Sequence, residues 1–319
     1  MTGAAGRPAR PSVRVRVPGK VNVTLAVGER RPDGYHDLST VFMAVDLHDT
    51  VLVRPAERMS VTVRGRGEGR VPLDEDNLAV RAARLIAKET GRERAAEIRI
   101  DKSIPVAGGM AGGSADAAAT LVACNELWGL GLSYEELRLL AAQLGSDVAF
   151  PLLGGVGLGT GRGECLTQLP EAGAGAFHWV FAVAEDGLST PEVFREHDRL
   201  QELREVPPPA GEQERAATVA AVVRALRGGD ARALARIAER GNDLQPAALS
   251  LRPELRRTLR LGRQAGALAA LLSGSGPTCA FLAESAGAAA GLARVLSASG
   301  SCREALATTG PVPGCLSAG

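Results

Sequence analysis

"IPVAGGMAGGSADAAATLV", residues 104–122, is built largely from Gly, Ala and Ser before it runs into an apolar segment. Two readings compete: a flexible linker, or a loop stripped of side chains so that a ligand lies against bare backbone. A linker is normally polar and flanked by disorder. This stretch instead leaves a strand, AEIRID (96–101), and enters a helix starting near Ser114. Gly108, Gly109, Gly112 and Gly113 allow backbone N–H groups to converge, and the helix N-terminus adds its partial positive charge. Together they make an anion cradle suited to phosphates. The bland alternative is a tight turn with close helix–sheet packing. The Walker pattern ending in Gly-Lys-Ser/Thr is absent, as are the dinucleotide fingerprint GxGxxG and the HRD and DFG triplets of protein kinases.

The 319 residues suffice for one large domain or two ordinary ones. With 45% hydrophobic and 23% charged residues the chain reads as soluble and globular. A net charge of +1 suggests neither a nucleic-acid nor a membrane surface. No apolar run approaches the ~18 residues of a membrane span. MTGAAGRPARPS, residues 1–12, lacks the apolar core of a secretory signal and is expected as a disordered lead-in. Five cysteines without a CxxC pair fit a reducing cytoplasm and argue against zinc or a disulfide framework. Of 37 basic residues only Lys20, Lys88 and Lys102 are lysine. A lysine kept in so arginine-rich a chain suggests a site that needs a compact point charge. Lys88 lies on a helix surface by its pattern. Lys20 and Lys102 flank unusual sequence.

Alternation in VRVRV (13–17) predicts a strand, continued by VNVTLAVGE (21–29) after a Pro18-Gly19 turn. FMAVDLHDTVLVRP and SVTVRG are further strands. Residues 77–90 read as an amphipathic helix closed by Gly91, and SYEELRLLAAQLG as a helix with Ser133 and Glu136 in capping-box spacing. GGVGLGTGRGE reads as a glycine-rich strand and turn. PEAGAGA (170–176) is a plausible boundary. Beyond it come a strand at 178–186, helices near 191–200, 213–227, 230–240 and 253–265, two strands around SGSG, a helix at 285–298 and a strand near 303–308. Strands and helices mix without strict alternation, so the class is α+β.

PVAGGMAGGSADAA (105–118) resembles the ATP loop of the small-molecule kinases named for galactokinase, homoserine kinase, mevalonate kinase and phosphomevalonate kinase, the GHMP superfamily. PGKVNVTLAVGERRPDGYHDLSTVF (18–42) is similar to its N-terminal motif and LLSGSGPTCAFL (271–282) to its C-terminal glycine motif, in the same order. Within the superfamily, Lys20, Asn22 and RPDGYH resemble the branch that phosphorylates a cytidyl-diphosphate sugar alcohol on the methylerythritol phosphate route to isoprenoids. LGSDVAFPLLGG (144–155) is similar to that branch's catalytic aspartate segment and STPEVF (189–194) to its substrate segment. PGK stands where PAK is usual, and Asp116 where the family often has asparagine.

The resemblance implies a two-lobed GHMP kinase fold, with a ribosomal-protein-like N-lobe over 13–169, a ferredoxin-like C-lobe over 177–309 and a tail over 310–319. It implies ATP and Mg²⁺ as cofactors and a small cytidyl substrate phosphorylated on its 2-hydroxyl. The expected protein is cytoplasmic, a monomer or weak homodimer, without nucleic-acid or membrane partners.

It also assigns residues. Asp147 is the expected base and Lys20 its charge partner, against a turn cap and a surface strand lysine. ATP is expected on Pro105, Val106, Ala107, Gly108, Gly109, Met110, Ala111, Gly112, Gly113, Ser114 and Ala115, with Asn77 and Lys102 near its base. Ser114 is a candidate phosphate or Mg²⁺ contact, and equally a helix cap; Asn77 too can simply cap its helix. Asn22, Tyr35, His36, Thr190, Phe194 and Gly276 are expected on the substrate. Tyr35 and Phe194 would take the two faces of cytosine and His36 its edge. Gly274 and Gly276 would bring the SGSG turn against the ligands, unless it is a plain hairpin. Two rivals remain: a relative acting on homoserine or mevalonate, and a nucleotide-binding regulator without catalysis.

Overall fold

The computed structural model describes residues 11–91, 94–106, 108–169 and 175–318. Most of the expected lead-in, residues 170–174 of the expected boundary and Ala107 of the glycine loop lie outside the described residues.

Strand β1 (Val13–Arg30) runs unbroken beside β2 (His36–Ala56), antiparallel to it. The turn expected at Pro18-Gly19 is instead a β-bulge: the register slips there and the pairing continues. Proline has no N–H to give the ladder, so the irregularity falls where a bond is missing anyway. Burial alternates as far as Val17, after which both faces are covered through Leu25. Val21 and Val23 join the main core, and Lys20 and Asn22, which alternate with them, are buried as well.

β3 (Ser60–Gly65), β4 (Ala95–Lys102), β5 (Val156–Thr160), β6 (Cys165–Gln168) and β11 (Leu316–Ala318) complete a seven-stranded sheet in the order β11-β1-β2-β4-β3. β5 pairs with the first half of β2 and β6 with β5. Helices α1 (Leu78–Glu89), α2 (Gly112–Leu127) and α3 (Tyr134–Leu144) contribute to its core. α2 is buried on nearly every side, as its apolar composition requires. α3 carries the expected capping box between Ser133 and Glu136. A short α4 (Phe150–Leu153) follows it.

The second lobe holds β7 (Phe177–Val183), β8 (Ala269–Leu272), β9 (Cys279–Ala283) and β10 (Glu304–Gly310), all antiparallel, in the order β10-β7-β9-β8. Fourth, first, third, second is the order of a split βαβ, ferredoxin-like sheet. Its helices are α5 (Thr190–Glu202), α6 (Glu212–Arg227), α7 (Ala231–Ala238), α8 (Gln245–Leu251), α9 (Leu255–Gln264) and α10 (Ala286–Ala298). The seven residues of α8 are too few to show a helical period in the sequence.

Residues 310–318 are not a loose tail. They leave the C-lobe, and β11 pairs with Arg14–Arg16 of β1. On the way, Gly155 donates to Val312 O at 2.7 Å and Cys315 to Pro151 O at 2.9 Å, so this segment holds the chain just beyond Asp147. The lobes are also joined by Val27 N donating to Asp243 Oδ2 at 2.8 Å; next to it, within the C-lobe, Asn242 Nδ2 donates to the carbonyls of Leu272 and Gly274, each at 2.9 Å.

Candidate active site

A cleft of about 830 Å³ opens between the lobes. Lys20, Asn22, Thr40 and Asp147 line it, as do Gly108, Gly109 and Ala111 to Ser114 of the glycine loop, Tyr35, His36, Thr190 and Phe194, and Gly274 with Ser275.

Lys20 is buried on β1, and its backbone N–H donates to Met110 O at 3.3 Å, tying the strand to the loop. Its ammonium donates to Asn22 Oδ1 at 2.6 Å and lies 3.4 Å from Asp147 Oδ2. Asn22 Nδ2 donates to Thr40 Oγ1 at 2.8 Å, and that hydroxyl donates to Thr24 O at 2.7 Å. The chain of bonds fixes which way Asn22 faces: its oxygen is spent on Lys20 and its nitrogen on Thr40. Asp147 sits in the turn after α3 with its side chain 37% exposed, open to a ligand on one side and to Lys20 on the other.

The glycine loop packs closely at one end and leaves its backbone bare at the other. A Cβ on Gly109 would stand 2.2 Å from Ser273 O, and one on Gly108 2.6 Å from Thr278 Oγ1. Both glycines admit the segment from Ser273 to Thr278, whose Ser273 hydroxyl donates to Gly109 O at 3.0 Å. Gly113 is exposed, with only Leu78 near its missing Cβ. The bare backbone there faces the cleft at the first turn of α2, where N–H groups have no intrahelical partner. Ala111 caps α2 at φ 58, in the left-handed region that a residue with a Cβ seldom adopts. Ser114 therefore does not cap the helix, and among the described residues no hydrogen bond holds its hydroxyl.

His36 Nε2 lies 2.8 Å from Asp198 Oδ1, and the His36 ring stacks on Phe194 with centroids 5.3 Å apart. Tyr35 is 55% exposed, with the Arg162 guanidinium 4.9 Å from its ring centroid. The expected sandwich of Tyr35 and Phe194 is thus not preformed: each ring already has a partner. Thr190 Oγ1 is 2.8 Å from Ser275 Oγ, which joins the substrate segment to the SGSG turn.

Of the expected contacts, Pro105, Val106, Met110 and Ala115 of the loop do not line the cleft, and three outside the loop lie elsewhere. Asn77 caps α1, accepting from Ala79 N at 2.9 Å and donating to Pro72 O at 2.7 Å, so its side chain is spent. Gly276 is not among the residues of the cleft; its missing Cβ faces Leu272 and Ala248. Lys102 is buried with Nζ 2.6 Å from both Asp49 Oδ2 and Asp116 Oδ2. Burial works against the charge on Lys102, but the Asp116 and Asp49 carboxylates outweigh it and raise the ammonium's pKa. Burial pushes Asp116 well above the usual carboxylate range, against the pull of Lys102. Asp49 Oδ1 accepts from Ser103 N and Ile104 N at 2.6 and 2.8 Å, so the triad anchors the chain entering the loop. Lysine scarcity singled out both unusual lysines; the resemblance implied a contact near the nucleotide base for Lys102, whose ammonium is instead spent on two buried carboxylates. Thr40, Arg162, Asp198 and Ser275 went unread. Thr40 meets Asn22 only through a slipped register, and Arg162 is one arginine among many.

The description "GHMP kinases N terminal domain" matches residues 77–155, and "GHMP kinases C terminal" residues 222–302. The 4-diphosphocytidyl-2-C-methyl-D-erythritol kinase of Streptomyces coelicolor is 58% identical over 304 residues, 95% of this chain and 98% of the relative. That of Rhodococcus jostii is 57% identical over 96% of this chain and 94% of its own. Among solved structures, a 4-(cytidine 5'-diphospho)-2C-methyl-D-erythritol kinase superposes with a TM-score of 0.72 at 32% identity, covering 92% of this chain and 98% of that one. A homoserine kinase from Cytophaga hutchinsonii reaches 0.74 at 20% identity over 99% and 100%, a likeness of fold alone.

Proposed function

Because the chain belongs to the GHMP kinases, within the family of 4-diphosphocytidyl-2-C-methyl-D-erythritol kinases, it is an ATP-dependent kinase with an alcohol acceptor, and we propose that Lys20 and Asp147 carry the transfer to that substrate's 2-hydroxyl. The observation behind this assignment is the Lys20 ammonium held at 2.6 Å by Asn22 and at 3.4 Å from Asp147, on a strand bonded directly to the glycine loop.

Phosphoryl transfer has a loose transition state, so the protein's work is positioning and charge. Backbone N–H groups at the start of α2 take the phosphates. Lys20 offsets their charge. The acceptor oxygen attacks the γ-phosphorus as the bridging P–O bond to ADP breaks. A carboxylate is too weak a base to make an alkoxide outright, so Asp147 receives the hydroxyl proton as the new O–P bond forms. The unengaged Ser114 hydroxyl at the α2 N-terminus suits Mg²⁺, which favours oxygen ligands and binds largely through substrate phosphates. The ion would neutralise phosphate charge there. The free cysteines suit a reducing cytoplasm, and no described helix is long and apolar enough to cross a membrane.

Tyr35, His36 and Phe194 are the groups of the cleft fitted to a nucleobase, and a small acid such as homoserine or mevalonate has no use for them. The test is ATP turnover with the cytidyl substrate, its uridyl analogue, homoserine and mevalonate. Turnover with the cytidyl compound alone is expected. Efficient phosphorylation of homoserine or mevalonate refutes the acceptor, and ATP binding without turnover on any of them refutes catalysis.

A further inference from the structure

Asp198 lies on α5, outside every motif that identified the site, yet it touches the residue expected to read the base. Its Oδ1 is 2.8 Å from His36 Nε2. Its Oδ2 is 3.9 Å from the Arg30 guanidinium. Its side chain is 25% exposed, against 6% for His36, so the bond is partly shielded from water.

An ionised carboxylate has no proton to give. Whatever lies at hydrogen-bond distance from it must donate, so Nε2 of His36 carries a proton. In the neutral ring Nδ1 is then bare and can only accept. No described residue is bonded to Nδ1, and it is not among the buried polar atoms left without a partner. The stack on Phe194 fixes the ring plane, and His36 lines the cleft.

From this we propose that Asp198 is a positioning residue for base specificity: it locks His36 in the Nε2–H tautomer, so that Nδ1 accepts from the exocyclic amine of cytosine. Uracil presents a carbonyl oxygen where cytosine presents that amine. Two acceptors then face one another, and the nitrogen, covered by the bound base, goes unpaired. Sites built to bond a particular polar group discriminate well for this reason. The selectivity resides in the proton that Asp198 pins to the far side of the ring.

The inference rests on the cytidyl reading above, and its experiment separates the two. In ¹⁵N-labelled unmutated protein, the His36 shifts should report a protonated Nε2 and a bare Nδ1. Asp198→Ala, at a half-buried helix position that tolerates alanine, should mix the tautomers. It should also cut the ratio of kcat/KM for the cytidyl substrate over its uridyl analogue by about tenfold or more. The loss should fall mainly on the KM of the cytidyl substrate, with the KM for ATP unmoved, a split that general loosening of α5 would not give. A proton resident on Nδ1 in the unmutated protein overturns the proposal, as does an unchanged ratio in Asp198→Ala. An unmutated protein that uses both substrates equally overturns the cytidyl reading itself, and the nitrogen shifts still decide the tautomer.

Discussion

Lys20 Nζ stands 3.4 Å from Asp147 Oδ2 but only 2.6 Å from the neutral Asn22 Oδ1. The ammonium is anchored by the amide and merely accompanied by the carboxylate. A loose pair suits two groups that must each turn to a substrate. Asp147→Asn keeps the shape and removes the proton acceptor, so kcat should fall by about 10²- to 10⁴-fold. Lys20→Arg should also lose activity, since a planar fork cannot occupy the place of a compact ammonium between Asn22 and Asp147. Steady-state kinetics check both; near-normal kcat in Asp147→Asn reduces it to a turn residue.

Gly109 is more constrained than Gly112. At φ 70, with Ser273 O 2.2 Å from where its Cβ would stand, it has no room for even a methyl group. Gly112 has ordinary or slightly tight distances, 3.3 Å to Ile104 Cγ2 and 3.5 Å to Lys102 Nζ. Gly109→Ala should push the SGSG turn off the loop and raise the KM for ATP more than Gly112→Ala does. The reverse order would place the essential close approach at the helix start.

The Asp49–Lys102–Asp116 triad predicts effects on stability before catalysis. Lys102→Met leaves two buried carboxylates without compensation and should cost about 3–5 kcal/mol in urea denaturation. Asp116→Asn should do the opposite. Burial holds the Asp116 pKa above its unfolded value. Between those values the native state binds more protons than the unfolded one, so stability declines as pH rises through the window. Asparagine removes that decline. Its advantage over the unmutated protein should therefore grow as pH rises above about 4, the usual carboxylate value. A difference independent of pH would show that Asp116 does not titrate with folding.

Much of this was legible in advance because local chemistry dictates it. Asn77 and Ser133 cap helices, glycine opens the loop, and the valines of β1 mark a sheet. What escaped depends on distance in the chain. The partners of Lys102 lie on β2 and α2, and no spacing rule links Asp49 to Asp116. Asp198 meets His36 only because α5 of one lobe folds over the first turn of the other. The Pro18-Gly19 bulge was misread because the same pair ends a strand or kinks it, according to what the next strand offers.

At the base end, Tyr35→Ala and Phe194→Ala should each raise the KM of the cytidyl substrate by about 5- to 150-fold, the worth of ~1–3 kcal/mol of stacking. The KM for ATP should not move. Since Arg162 already covers Tyr35, a base entering there must displace the guanidinium or stack beyond it. Arg162→Ala distinguishes these: displacement predicts tighter binding of the cytidyl substrate, and stacking predicts weaker.

β11 lies on the open edge of β1, although the whole C-lobe separates the two in the chain. A ribosome delivers β1 first and its neighbour some 300 residues later. Without that neighbour the outer edge of Arg14–Arg16 is unpaired, and a bare strand edge is a template for any other chain that passes. The sheet of the first lobe is therefore completed only by a segment about 300 residues downstream of its first strand. A nascent chain halted at Gly310 would contain the cleft residues described above and still lack the strand that closes their sheet.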